Sequence, residues 1–242
     1  MVVIIIILII MGFLSPLLSD LYYFSCIKTI GSINNIKFRT GDILLCRHNE
    51  YNILTPNPDK DNKLQFNPIN FFIPKSTKIF SSLSGYYSHM SLVIVINDTP
   101  YIYDITLHEY STKIKYDIWT QKYVINKPTL LNMEYITQYN GDIYHVPYIG
   151  PNIIPKSVIK NILNKYSTYE FNIFNSIFSK ISLGLYQGDT DKKVSCSLFI
   201  SSVLYDMGII DIPNKQNPTI SYVYNQCINN KTHSNEPILI SF

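Results

Sequence analysis

The chain has 242 residues, 46% of them apolar and 15% charged, with a net charge of +3. That length accommodates one domain with a sizeable core and an appendage. Its lysines and arginines are scattered and form no basic stripe, so charge gives no support to nucleic-acid binding. Alanine is absent, while Ile, Asn, Tyr and Lys are abundant. Those residues have AT-rich codons, which points to an AT-rich genome such as that of a large DNA virus or a parasite. The asparagines therefore carry no prion-like meaning.

Met1 to Leu14 contains no charged side chain, and the apolar run continues through Leu17 and Leu18 to Asp20. At about 18 residues it approaches the ~20 that span a bilayer. A cleaved signal peptide starts basic and ends at a small-residue cleavage site. Here no Lys or Arg precedes Lys28, and no such site is present. Residues 1–19 are therefore expected to be an N-terminal transmembrane helix, a retained single-pass anchor in a host membrane or a virion. Residues 20–38 read as a connector.

Beyond the connector, Thr40-Gly41-Asp42 leads into Ile43-Leu44-Leu45-Cys46, a short buried strand. Residues 49–63 are rich in Asn, Pro, Asp and Lys and read as a loop. Pro68 and Pro74 interrupt residues 66–80, which suits a substrate-facing insertion. Met90 to Ile96 is a nearly continuous run rich in Val and Ile, as expected of a central strand. Asn97-Asp98-Thr99-Pro100 is a turn, and Tyr101 to Thr106 is the next strand. Thr112 to Tyr116 and Asp142 to Pro147 suit further strands. Helices are expected at Pro155 to Tyr166, at Ser195 to Met207 and, with less regular spacing, at Pro218 to Ile228. Pro237 to Phe242 suits a closing strand. Strands followed by helices indicate an α+β domain.

The four cysteines are Cys26, Cys46, Cys196 and Cys227. They contain no C-x-x-C and match neither a zinc framework nor a disulfide scaffold. Cys46, His48, His108 and Glu109 come nearest to a metal set but lack ligand spacing. No metal and no other cofactor is expected.

Cys196 has the context of a nucleophile. Ser195 suits a helix N-cap, Phe199, Val203 and Met207 share a helical face, and Gly208 suits the stop. A thiol in the first turn meets unsatisfied N–H groups and the positive end of the helix dipole, which favour a thiolate and can hold an oxyanion. A small buried hydrophobe is the ordinary role of a cysteine. His89 stands where Gly85-Tyr86-Tyr87-Ser88 enters the central strand. If Asn97 and Asp98 are the two central turn residues, Ile96 pairs with Thr99 and Asp104 pairs with Ser91. His89, Ser91 and Asp104 then share one face, with Asp104 diagonal to His89. A carboxylate there can orient the imidazole.

These segments, taken in order, resemble a known family. Thr40-Gly41-Asp42-Ile43-Leu44-Leu45, Tyr87-Ser88-His89-Met90-Ser91-Leu92-Val93, Tyr101-Ile102-Tyr103-Asp104 and Ser195-Cys196-Ser197-Leu198-Phe199-Ile200 are similar to the circularly permuted NlpC-type papain-like hydrolases. That family includes YiiX-type proteins and relatives in poxviruses and giant viruses. Tyr169-Glu170-Phe171-Asn172 resembles the aromatic-acidic segment that precedes the cysteine helix. The resemblance implies that residues 39–242 form a permuted papain-like hydrolase domain with a small antiparallel sheet and a late nucleophile helix. It implies Cys196 as nucleophile, His89 as base and Asp104 as the third member, where YiiX-type proteins usually have Glu. His108 and Glu109 are nearby substitutes for that third role. The implied activity is that of a membrane-anchored cysteine hydrolase or acyltransferase. Its partners would be the membrane and a peptide or lipid acyl substrate, acting through a thioacyl intermediate. The rival reading is a catalytically silent viral membrane or virion protein with the same fold.

Overall fold

A computed structural model describes residues 29–48, 54–56, 64–66, 87, 89–105, 127–139, 141–172, 192–211 and 218–241. The strands are β1 (Thr29–Ser32), β2 (Ile43–His48), β3 (Leu54–Pro56), β4 (Leu64–Phe66), β5 (His89–Ile96), β6 (Thr99–Asp104), β7 (Thr129–Asn132), β8 (Gly141–Val146), β9 (Glu170–Phe171), β10 (Lys193–Val194) and β11 (Ile238–Ser241). The α-helices are α1 (Lys156–Tyr166), α2 (Cys196–Asp206) and α3 (Ile220–Asn229). Seven strands form one sheet in the order β1-β11-β8-β2-β5-β6-β7. β1 runs parallel to β11, and the other pairs of this sheet are antiparallel.

β5 is apolar almost throughout because both its faces are covered. Met90, Leu92 and Ile94 join the larger core, which includes Phe199, Ile200, Val203 and Leu204 of α2. Val93 joins a smaller cluster on the other face with Leu44, Ile102 and Ile143. The β5–β6 connection is a two-residue turn, with Asn97 at φ 49° and Asp98 at φ 63°. Positive φ at both positions gives the turn twist that matches the strands, and Asn and Asp tolerate it. The pairing runs from Ile96–Thr99 to Leu92–Tyr103, as the turn residues require.

α2 begins and ends where its sequence says. Ser195 caps it by accepting the Leu198 N–H at 3.2 Å. At its end Gly208 has φ +71°, with Gly208 N–H bonded to Tyr205 and Ile209 N–H to Leu204. That is a Schellman closure, in which glycine adopts the left-handed conformation without penalty. Asp206 accepts from Lys165 Nζ and from Tyr166 Oη of α1, fastening the two helices at that end.

The fold therefore mixes helices with a seven-stranded sheet, and two expectations need correction. The sheet is neither small nor wholly antiparallel. The chain's last strand lies against β8 and offers its outer edge to Thr29–Ser32, within the segment read as a connector. The transmembrane helix, and with it a single-pass membrane location, is not supported. Among the described residues no helix is long and apolar enough to cross a membrane. The longest have 11 residues. Such a helix is about 16 Å long against a hydrocarbon core of about 30 Å. Residues 1–19, on which that expectation fell, lie outside the described residues, as does the strand expected at Thr112 to Tyr116.

Phe199 is fully buried and touches the rings of Tyr103 and Tyr166 at centroid distances of 5.1 and 5.6 Å. Phe199→Ala is expected to destabilise the fold by about 3–5 kcal/mol, read as a lower urea midpoint at unchanged slope.

Candidate active site

Three element ends meet at one end of the sheet. Cys196 is the first residue of α2, His89 the first of β5 and Asp104 the last of β6. Antiparallel pairing puts the start of β5 beside the end of β6, so the tight turn far along the hairpin determines which residues meet here. His89 Nε2 donates to Asp104 Oδ1 at 2.7 Å, and the side chains are 12% and 2% exposed. The same oxygen accepts the Ile105 N–H at 2.7 Å, while Oδ2 is buried without a partner among the described residues. A carboxylate only accepts, so Nε2 carries a proton. The Cys196 side chain hydrogen-bonds His89 and attracts it electrostatically. With Nε2 engaged by Asp104, Nδ1 is the nitrogen left to the thiol.

Burial opposes a charge on His89. The Asp104 carboxylate and the Cys196 thiolate outweigh it and push the pKa from 6.5 up to about 10. The charged form of the ring is thus favoured at neutral pH, with Asp104 and Cys196 as its partners. Of the three side chains that the sequence singled out, Asp104 and Cys196 both hydrogen-bond His89.

The approach to Cys196 is braced. Lys193–Val194 pairs in parallel with Glu170–Phe171, so the segment Tyr169-Glu170-Phe171-Asn172 supports the residues that lead into α2. Asn172 N–H donates to Val194 at 2.9 Å. Cys46 lies opposite His89 in the ladder. Cys227 is buried in α3, and desolvation pushes its thiol pKa up to about 12. Among the described residues no group of three His, Cys, Asp or Glu side chains is placed to hold a metal ion. The side chain of His48, and His108 and Glu109, lie outside the described residues.

Sequence reasoning missed a second polar centre. Asp42 accepts from His145 Nε2 at 2.7 Å, from Tyr148 N–H at 2.8 Å and from Arg39 N–H at 2.8 Å. His233 Nε2 donates to the Gly41 carbonyl at 2.8 Å. Burial lowers the pKa of His233, so its neutral form is favoured and this residue withdraws stability as pH falls below about 6.5. Gly41 has φ +103°, and a Cβ there would press on Ile209 and Tyr148, so glycine is required. The available signal is the position of His145 on a strand whose neighbours Ile143, Tyr144 and Val146 are buried. A histidine among such residues needs a partner.

No family model matches the chain, and no curated protein matches it. One solved structure, the metalloprotein YiiX from Escherichia coli O157:H7, is similar with a TM-score of 0.46 at 9% identity. The match spans 85% of this chain and 98% of that one.

A His whose folded pKa is raised stabilises the fold fully below its unfolded value of about 6.5 and ceases to do so as pH passes through the folded value. For His89 that window runs from about 6.5 to about 10. Asp104→Asn removes one anion and leaves the burial. The His89 ring titration, followed by NMR, is expected to move well below 10, and the alkaline loss of stability to shrink.

Proposed function

We propose that this protein is a cysteine hydrolase or acyltransferase that uses Cys196 as nucleophile, His89 as acid and base, and Asp104 as the residue that orients His89. The observation that carries the reading is the single imidazole bonded to a buried carboxylate on one side and to a helix-terminal thiol on the other. The motif order of the permuted NlpC-type papain-like family supports it. The substrate class is an amide, ester or thioester carbonyl of a peptide or an acyl lipid.

The steps follow from the residue types. The Cys196 thiolate attacks the carbonyl carbon and forms a C–S bond, and the carbonyl electron pair moves to oxygen. The N–H groups of Cys196 and Ser197 occupy the first two helical positions, where a helix supplies no internal acceptor, and they suit the oxyanion. The imidazolium then gives its proton to the departing amine, alkoxide or thiolate, and the tetrahedral species collapses to a thioacyl enzyme. Neutral His89 next takes a proton from water or another acceptor. That nucleophile attacks the thioacyl carbon and releases the Cys196 thiolate as the imidazolium is restored. Asp104 holds the ring in one orientation throughout and balances its positive charge.

Labelling the full-length chain with an electrophilic thiol probe at pH 7 tests the reading. Cys196 is expected to react far faster than Cys46 or Cys227, and His89→Ala to slow it by about 10²-fold or more. With a panel of acyl-ester and amide substrates, Cys196→Ala is expected to abolish turnover. Equal labelling of the cysteines, or labelling of Cys196 indifferent to His89, sinks the proposal.

A further inference from the structure

α2 is buried almost all round: Cys196, Ser197, Leu198, Phe199, Ile200, Ser201, Val203 and Leu204 are all inaccessible. An ordinary amphipathic helix takes its rotation about its own axis from its apolar stripe. A helix enclosed on most sides has no such stripe, and apolar packing alone discriminates poorly between nearby rotations. Directional polar contacts must then choose. Ser201 and Ser202 bond back to the Leu198 carbonyl of their own helix, and Ser202 also hydrogen-bonds Tyr166 of α1, on the half of α2 away from Cys196. Asp206 tethers the far end to α1. At the near end, Ser197 Oγ donates to the Pro218 carbonyl at 2.6 Å, immediately before the Thr219 cap of α3.

The proton directions around Ser197 follow by elimination. The Pro218 carbonyl only accepts, so the single Ser197 hydroxyl proton goes there. The 3.2 Å contact between Ser195 Oγ and Ser197 Oγ is then donated by Ser195. Ser195 in turn accepts the Leu198 N–H. The chain of donors runs one way, from the backbone of α2 through both serines flanking Cys196 to the start of α3. All three side chains at positions 195, 196 and 197 are buried, so water does not substitute for any link.

We propose that Ser197 is a positioning residue for the nucleophile: its tether to Pro218 sets the rotation of α2 that aims Cys196 at His89. This rests on the cysteine–histidine reading above. Neighbouring helical residues project about 100° apart, so holding position 197 holds the direction of position 196. A turn of about 20° would carry an atom roughly 5 Å from the axis through roughly 2 Å, enough to break a thiol–imidazole hydrogen bond. Misplacement of about 1 Å at a reacting centre costs up to about 10²-fold in rate.

The test measures the pH dependence of Cys196 alkylation by iodoacetamide in the full-length chain, for wild type, His89→Ala, Ser197→Ala and Ser197→Thr. The proposal expects Ser197→Ala to slow alkylation at pH 7 by about tenfold or more. It expects the midpoint to shift toward that of His89→Ala, and Ser197→Thr, which keeps the hydroxyl, to restore both. If Ser197→Ala does not fold, Ser197→Val against Ser197→Thr gives the same comparison, equal in shape and differing in the hydroxyl. A wild-type pH profile in the hydroxyl-free variant, whatever its melting temperature, overturns the positioning role alone, and so does failure of threonine to rescue. A wild-type Cys196 that ignores His89→Ala overturns the dyad and the positioning role together.

Discussion

An imidazole ring that is nearly shut off from water is more stable neutral than charged, because it has lost the solvent that would hold its charge. His89 is in that position, and Asp104 and Cys196 nevertheless raise its pKa to about 10. The attraction is mutual. A cation fixed at the start of α2 stabilises a thiolate there, on top of what the helix terminus contributes. Asp104 supplies charge from below the ring and geometry at the same time, since its Oδ1 is itself pinned by the Ile105 N–H. A charge on the ring is thus tolerable in a dry place only because those partners are present.

Bringing them together is the task of the sheet. β5 is covered on both faces, so its register cannot slip without turning apolar side chains toward the wrong layer. The turn at Asn97 and Asp98 locks β6 to it, and the consequence appears at the hairpin's open end, where His89 meets Asp104. The thiol arrives from a separate layer. Its helix is stopped by Gly208 at one end and capped by Ser195 at the other, and the short parallel pair β9–β10 guides the chain into the cap.

Much of this was legible because it is local. A two-residue Asn-Asp turn dictates the pairing of Ile96 with Thr99, and alternation then carries Asp104 to the His89 side. Ser195 and Gly208 mark the ends of α2 through their own backbone chemistry. What was not legible depends on residues far apart in the chain. Nothing near Thr29 announces that it will pair with Ile238, and nothing near Ser197 announces the Pro218 carbonyl. The apolar N-terminal run invited a membrane reading because hydropathy counts apolar residues and nothing more. Meeting of Cys196 with His89 was likewise invisible to periodicity, and only the order of motifs suggested it.

Among the described residues two buried Asp–His pairs share the same 2.7 Å contact, and their surroundings differ. Asp42 is saturated by three N–H donors, and its partner His145 points the other nitrogen into a sealed place without any partner among the described residues. Phe38 lies against that ring at 5.1 Å and helps to close it off. The pair joins the start of β2 to β8 and to the backbone at Tyr148. His89 differs in two respects: its second nitrogen serves a thiol, and its ring keeps some exposure. The carboxylate–imidazole contact is therefore a means of holding a ring still. It becomes chemistry only where the ring's far side has a group to exchange a proton with and a substrate has room to approach.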